Sequence, residues 1–297
     1  MFKRILVPVD DSEGSRLALS LAGNMSRAFA AKVRLLHWLD VQAYPNAFGY
    51  GNPVIQSAQK YAEASLRDEK FRMEAQGIDV ETHLFLAQGE RLGECVRADA
   101  RSWKADAIVL GSHGRKGIGR ALLGSGAEQI IRDAPVPALI VRGTASEAIF
   151  QRNVVAFDGS PTSMRAHEVA VSLASRFHAA IRIVHSIGNL AVFGAYGYAD
   201  AFLRQVRVDA DRMLKEAAAL ARAAGIEVDT FVSADDEGLA EFVARQAHSW
   251  NADLVVVGTH GRRGVRRAML GSGAEQIMRH SSTCVLVVTA ADAAAAA

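Results

Sequence analysis

Residues 111–125 read GSHGRKGIGRALLGS, and residues 258–272 read GTHGRRGVRRAMLGS. Both follow one spacing: G-x-x-G, nine residues, then G-S. Gly111, Gly114, Gly124 and Ser125 carry it in the first copy, and Gly258, Gly261, Gly271 and Ser272 in the second. Glycine weakens strands and helices alike, so the spacing answers a need for close approach to backbone. A glycine-rich passage from a strand into a helix presents free N–H groups at the positive end of the helix dipole, and that combination binds anions. Gly126 and Gly273 keep the first turn of that helix open. Arg115, Lys116, Arg262 and Arg263 add charge suited to a polyphosphate. No GxxxxGK[ST] occurs, so neither loop is a Walker A loop, and GSGAEQ lacks the third glycine of the dinucleotide fingerprint. His167-Glu168 has no second histidine to complete a zinc-protease HExxH.

Other polar residues recur at the same two places. Asp10 and Asp158 each follow a short apolar run, where a carboxylate either contacts a ligand or a metal ion such as Mg²⁺, or stabilises the turn into a helix. Ser125-x-x-Glu128 and Ser272-x-x-Glu275 read as capping boxes; each serine is thus a helix cap or a phosphate contact. His37 and His185 fall in apolar strands and read as core histidines. His113 and His260 lie inside the glycine loops, as scaffold or as phosphate contacts. Arg262, Arg263, Arg266 and Arg267 form a basic cluster with no interleaved aromatic platform, which favours a phosphate funnel or a solvated face over nucleic acid.

These residues are positioned by a unit that occurs twice. Asp10 and Asp158 are 148 apart, as are His37 and His185; Trp103 and Trp250 are 147 apart. A constant offset over almost the whole chain means two tandem domains, 1–143 and 152–290, joined near GTASEAIFQ (143–151). In each, short β-rich runs alternate with helical patterns. ILVPV is a first strand, and Ser12 or Ser160-Pro161 then opens a helix. VRLLHW (33–38) and IRIVHS (181–186) are second strands. Residues 54–76 and 199–224 are helical, with Phe202, Val206, Ala210, Met213, Ala217 and Ala221 at helical spacing. Third strands cover 79–86 and 227–232, and a helix after each ends near Trp103 and Trp250. DAIVLG and DLVVVG are fourth strands, apolar throughout and so buried on both faces. VPALIV (136–141) and TCVLVV (283–288) are fifth strands. Such alternation predicts two α/β sandwiches, each an open twisted parallel sheet of five strands with helices on both faces and its ligand beyond the carboxyl ends of the strands. Glycine- and aromatic-rich loops, 44–53 and 188–198, leave the second strands as candidate lids or as packed loops.

Of 297 residues, half are apolar and 22 % are charged, with a formal net charge of +2. Near-neutral charge gives no argument for nucleic acid or membrane. Cys95 and Cys284 form neither a disulfide framework nor a zinc site. The opening MFKRILVPVDDS lacks the apolar core of a signal peptide, and no segment approaches a membrane span. A reducing, cytoplasmic setting is expected.

Together the glycine spacing and the first-strand Asp resemble the universal stress proteins in their tandem two-domain form, over both halves. The resemblance implies a Rossmann-like fold of the adenine nucleotide alpha hydrolase type and an adenine-nucleotide site, for ATP, ADP or AMP, in each half. It implies that the glycine loop holds the phosphates, through Gly111, Gly114, Arg115, Gly124, Ser125 and Gly126, or Gly258, Gly261, Arg262, Gly271, Ser272 and Gly273. The first-strand Asp and the end of strand two would frame the adenosine. Pro8 before Asp10 follows ATP-binding members; Ala156 replaces it in the second half. Trp38 and Ser186 stand where the family has a small aliphatic on adenine, which argues against equal affinity of the two sites. The resemblance also implies pairing of the halves through their fifth strands as a pseudo-dimer, a possible homodimer, an unidentified protein partner, and a stress-response role with ATP hydrolysis weak at most. A true ATPase or nucleotidyl transferase, and an interaction module with empty sites, are the alternatives.

Overall fold

The computed structural model describes residues 2–43, 52–114, 123–142, 150–188, 199–233, 237–259 and 271–289. The chain divides into two compact units, Met1–Ala145 and Ser146–Ala297. In the first unit the order is β1 (Arg4–Val9), α1 (Glu13–Phe29), β2 (Lys32–Asp40), α2 (Pro53–Glu74), β3 (Val80–Ala87), α3 (Leu92–Ser102), β4 (Ala107–Gly111), α4 (Ser125–Asp133) and β5 (Ala138–Val141). Its strands lie in the order β3-β2-β1-β4-β5, all parallel. The chain builds outward from β1 through β2 to β3, then crosses to β4 on the other side. The reversal falls between β1 and β4, where open α/β sheets place their ligands.

The second unit repeats this with β6 (Arg152–Ala156), α5 (Pro161–Phe177), β7 (Ala180–Ser186), α6 (Ala199–Ala223), β8 (Val228–Ser233), α7 (Leu239–Ser249), β9 (Leu254–Gly258), α8 (Ser272–His280) and β10 (Cys284–Val288). Its order is β8-β7-β6-β9-β10, again parallel. The central strands are buried on both faces: Ile5, Leu6, Val7, Ile108 and Val109 are at 0 % exposure, as are Val154, Val155, Val255 and Val256. No described helix is long and apolar enough to cross a membrane.

Local chemistry sets the helix starts. Ser12 caps α1 by accepting the Ser15 N–H at 3.1 Å, and Ser160 caps α5 in the same way at 3.2 Å, with Pro161 at the first helical position. The capping boxes expected at Ser125 and Ser272 do not form. Gly124 and Gly271 occupy the cap positions, with extended backbone, and give neither helix a side-chain cap. Each glycine N–H is anchored upstream, to Ser112 O at 2.8 Å and Thr259 O at 2.7 Å, which draws the cap one residue earlier. Each serine therefore lies inside the first turn. Glu128 pairs with Arg132 and Glu275 with Arg279, one turn on.

The two cores differ at one telling position. Leu19 of α1 is replaced in α5 by His167, which is 2 % exposed. His167 Nε2 donates to Ala217 O at 2.8 Å, its ring stands edge-on to Phe157, and its Nδ1 has no partner among the described residues. Burial pushes its pKa below the ordinary value. The unfolded chain therefore takes up a proton below about pH 6.5 while the native state resists it. Stability falls as pH drops through that range, and the loss levels off below the native pKa. His167→Leu should stabilise the second unit by about 1 kcal/mol at neutral pH by removing the orphaned nitrogen. The gain should widen between pH 7 and 5; urea melts at the two pH values measure it, and an equal gain at both would contradict the account.

Candidate nucleotide site

The first unit carries a cavity of about 540 Å³ at the carboxyl ends of its strands, beside the reversal between β1 and β4. Pro8 and Asp10 contribute from β1, Trp38 and Asp40 from β2, Gly111, His113 and Gly114 from the end of β4, and Gly124, Ser125 and Gly126 from the start of α4. Every first-half residue expected at a ligand reaches this one cavity, apart from Arg115, which lies outside the described residues, as does Lys116. The loop 44–51 also lies outside them.

Asp10 serves the turn into α1. One of its carboxylate oxygens accepts the Ser12 N–H at 3.2 Å and the Ser12 hydroxyl at 2.6 Å. Its neighbour Asp11 takes a left-handed backbone, φ 62°, and bonds the Ser65 hydroxyl on α2. The turn reading of Asp10 is thus realised, and its carboxylate still borders the cavity. Asp158 repeats the turn, accepting the Ser160 N–H at 3.0 Å, with Gly159 at φ 74° in the strained place.

The glycines have packing reasons of their own. A Cβ on Gly111 would sit 2.5 Å from the Gly14 carbonyl carbon, so the end of β4 is pressed onto the first turn of α1. One on Gly114 would sit 2.4 Å from an Asp10 carboxylate oxygen. Gly126 faces Leu92 of α3 at 3.2 Å, and its counterpart Gly273 faces Leu239 at 2.8 Å. Close packing brings the β4 loop, the β1 turn and the α4 N-terminus to one place. There Gly124 supplies no side chain, so the first N–H groups of α4 are left to whatever enters the cavity.

His113 adds a ring nitrogen at the same end. Its Nδ1 lies 3.0 Å from the Ser112 hydroxyl, while its buried Nε2 has no partner among the described residues. Burial, helped by the positive charge of Arg142, holds its pKa below the ordinary value. His37 is buried in β2, as expected of a core histidine, and also lines the cavity; His185 is only partly buried, and its Nδ1 donates to Phe157 O at 2.7 Å. Burial raises the Cys95 thiol, with the charge of Glu90 second, so it is not a reactive thiolate.

Sequence reasoning overlooked Asp40, Ser12 and Leu92, which line the cavity. Asp40 supplies a second carboxylate where none was expected. The available signal was its place two residues after Trp38, hence on the same side of β2. Among the described residues no group of three or more metal-ligating side chains comes together.

In the second unit Asp158, Ser186, Gly258, Gly271, Ser272 and Gly273 occupy the matching strand and helix ends. Gly261, Arg262, His260 and the other arginines of the basic cluster lie outside the described residues, as does loop 189–198.

A family model described as the universal stress protein family matches residues 1–142 and again 150–289. The chain belongs to the universal stress protein family. It carries two such domains in tandem. A universal stress protein of Methanocaldococcus jannaschii is 31 % identical over 149 residues, which are 50 % of this chain and 86 % of that one. One from Mycolicibacterium smegmatis is 28 % identical over 295 residues, 96 % of each chain. Among solved structures, a universal stress protein from Archaeoglobus fulgidus superposes with a TM-score of 0.69 at 23 % identity, over 96 % of this chain and 98 % of that one. A putative universal stress protein from Pseudomonas aeruginosa gives 0.70 at 17 % identity, over 99 % and 96 %. At those identities the likeness establishes the universal stress protein fold.

Proposed function

We propose that this universal stress protein binds an adenine nucleotide, ATP with Mg²⁺ foremost, in one or both halves, and acts as a nucleotide-responsive regulator in the cytoplasmic stress response. The observation that carries the reading is the first-half cavity that ends on an α4 N-terminus left without a side-chain cap. The N–H groups of Ser125, Gly126 and Ala127 suit phosphate oxygens, with His113 lining the same cavity. Trp38 and Pro8 offer apolar surface for the base. Asp10, and Asp158 in the second half, would reach a Mg²⁺ held chiefly by the phosphates. ATP, ADP and AMP differ in how far they would extend toward α4.

Gly124→Asp separates binding from folding. Its backbone is already extended, and an aspartate cap is preferred to glycine at that position. The new carboxylate would take the α4 N–H groups and repel phosphate. Wild type with ATP and Mg²⁺ at about 100 times Kd should gain roughly 2.7 kcal/mol of stability in thermal melts. The variant's Cβ would come 3.2 Å from the Ser112 carbonyl oxygen, a cost the new cap offsets, so the variant should stay folded and lose the nucleotide-dependent gain in the first unit. No response of wild type to ATP, ADP, AMP or GTP sinks the proposal, and turnover near 1 s⁻¹ or faster, the ordinary enzymic range, would replace it with an ATPase.

A further inference from the structure

We propose that Asp40 reads the ribose of the bound nucleotide, accepting its 2′ and 3′ hydroxyls and so setting a preference for ribonucleotides; this rests on the nucleotide reading above. The strand register places the residue. Pro8 pairs with Leu36 and Val9 with His37, so β2 runs on past the end of β1 and carries Trp38 and Asp40 beyond it. Asp40 follows Trp38 by two, on the same side of β2 and about 7 Å farther along. Asp10, Trp38 and Asp40 all line the cavity. The backbone N–H of Gln42 donates to one Asp40 oxygen at 3.0 Å, which fixes the orientation of the carboxylate.

The cavity is thus polarised. Asp40 borders it at the end of β2, while at β4 and α4 it has uncapped N–H groups and the unpartnered Nε2 of His113, with the Asp10 carboxylate close to Gly114 on that side. An ionised carboxylate only accepts hydrogen bonds and repels phosphate. It is matched by a ligand with hydroxyl donors at one end and an anion at the other. The second half has Gly188, at φ 80°, in the corresponding position, so only the first half carries this device.

The test is a titration of the full chain followed by tryptophan fluorescence. Trp38 lines the first-half cavity, whereas Trp103 and Trp250 close α3 and α7. ATP, 2′-deoxy-ATP, 3′-deoxy-ATP and tripolyphosphate are compared on wild type, Asp40→Asn and Asp40→Ala, each with Mg²⁺ and with EDTA. A hydrogen bond to a charged acceptor supports an affinity ratio of at least about tenfold between ATP and a deoxy analogue on wild type. Asp40→Ala should bring that ratio close to one, and Asp40→Asn should leave it intermediate. Equal affinity of ATP and both deoxy analogues for wild type would falsify the ribose assignment while leaving nucleotide binding intact. So would discrimination that survives in Asp40→Ala. An Asp40 effect seen with Mg²⁺ and absent in EDTA would make Asp40 a cation contact, and also overturns it. If ATP binds no better than tripolyphosphate, or not at all, the nucleotide reading fails as well.

Discussion

Gly111→Ala is expected to destabilise the first unit by about 3 kcal/mol, the upper end of what overpacking costs, and to abolish its response to ATP. The new Cβ would stand 2.5, 2.6 and 2.8 Å from the C, O and Cα of Gly14. These are backbone atoms in the first turn of α1, so no rotamer change can yield. Relief requires β4 and α1 to part, and their junction also sets His113 and Gly114, since the His113 carbonyl oxygen lies 2.5 Å from where a Gly14 Cβ would be. Gly126→Ala is the contrast. Its Cβ would meet only the tip of Leu92, at 3.2 Å, inside a helix that favours alanine over glycine. It should be neutral to within about 0.5 kcal/mol and should still answer ATP. Urea melts of both variants, with and without nucleotide, decide the matter. A Gly111→Ala protein of wild-type stability would mean that this glycine serves the ligand alone.

That contrast shows what was legible in the sequence and what was not. The period-147 repeat and the alternation of apolar runs with amphipathic stretches depend on local pattern, and the ten strands stand where those runs lie. The glycine spacing announced close approach, but spacing cannot say what approaches. At Gly111 it is Gly14, a residue of a different element and almost 100 positions away. The capping boxes misled for a related reason. Ser-x-x-Glu has the right local chemistry, yet the bond from Gly124 N–H to Ser112 O is a tertiary contact and moves the cap by one residue. Asp40 was missed although it stands two residues after Trp38 on the same strand, because only the folded sheet shows that β2 extends past β1 to the cavity. Asn153 of β6, fully buried with neither amide atom partnered among the described residues, has no signal in the sequence and no explanation in the structure.

Arg34→Met should cost the first unit about 3 kcal/mol, and Arg182→Met in the second unit about 1 kcal/mol. The two arginines hold equivalent places. Arg34 lies 4.7 Å from the centre of the Trp103 ring, and Arg182 lies 4.6 Å from that of Trp250. Arg34 bonds Glu81 at 2.8 Å and Arg182 bonds Asp229 at 3.2 Å. The stacking and the partly exposed pair are common to both, so neither explains a difference. Beneath Arg34, however, lies Asp99, its side chain 1 % exposed, bonded to Arg34 at 3.1 Å and to His83 Nδ1 at 2.8 Å. The second unit has the neutral Gln246 at that position and Phe231 in place of His83. Methionine keeps much of the apolar contact with the tryptophan and removes the charge, leaving the buried Asp99 carboxylate without its cation. That is the situation in which losing one partner is most expensive. Lys32 and Arg34 hold the Glu81 carboxyl at about 2. Its favourable contribution is present above about pH 4.5 and lost as pH falls toward 2, so the comparison belongs between pH 5 and 7, where Glu81 stays ionised. Equal penalties for the two substitutions across that range would show that Trp103 stacking, and not the buried carboxylate, is what Arg34 supplies.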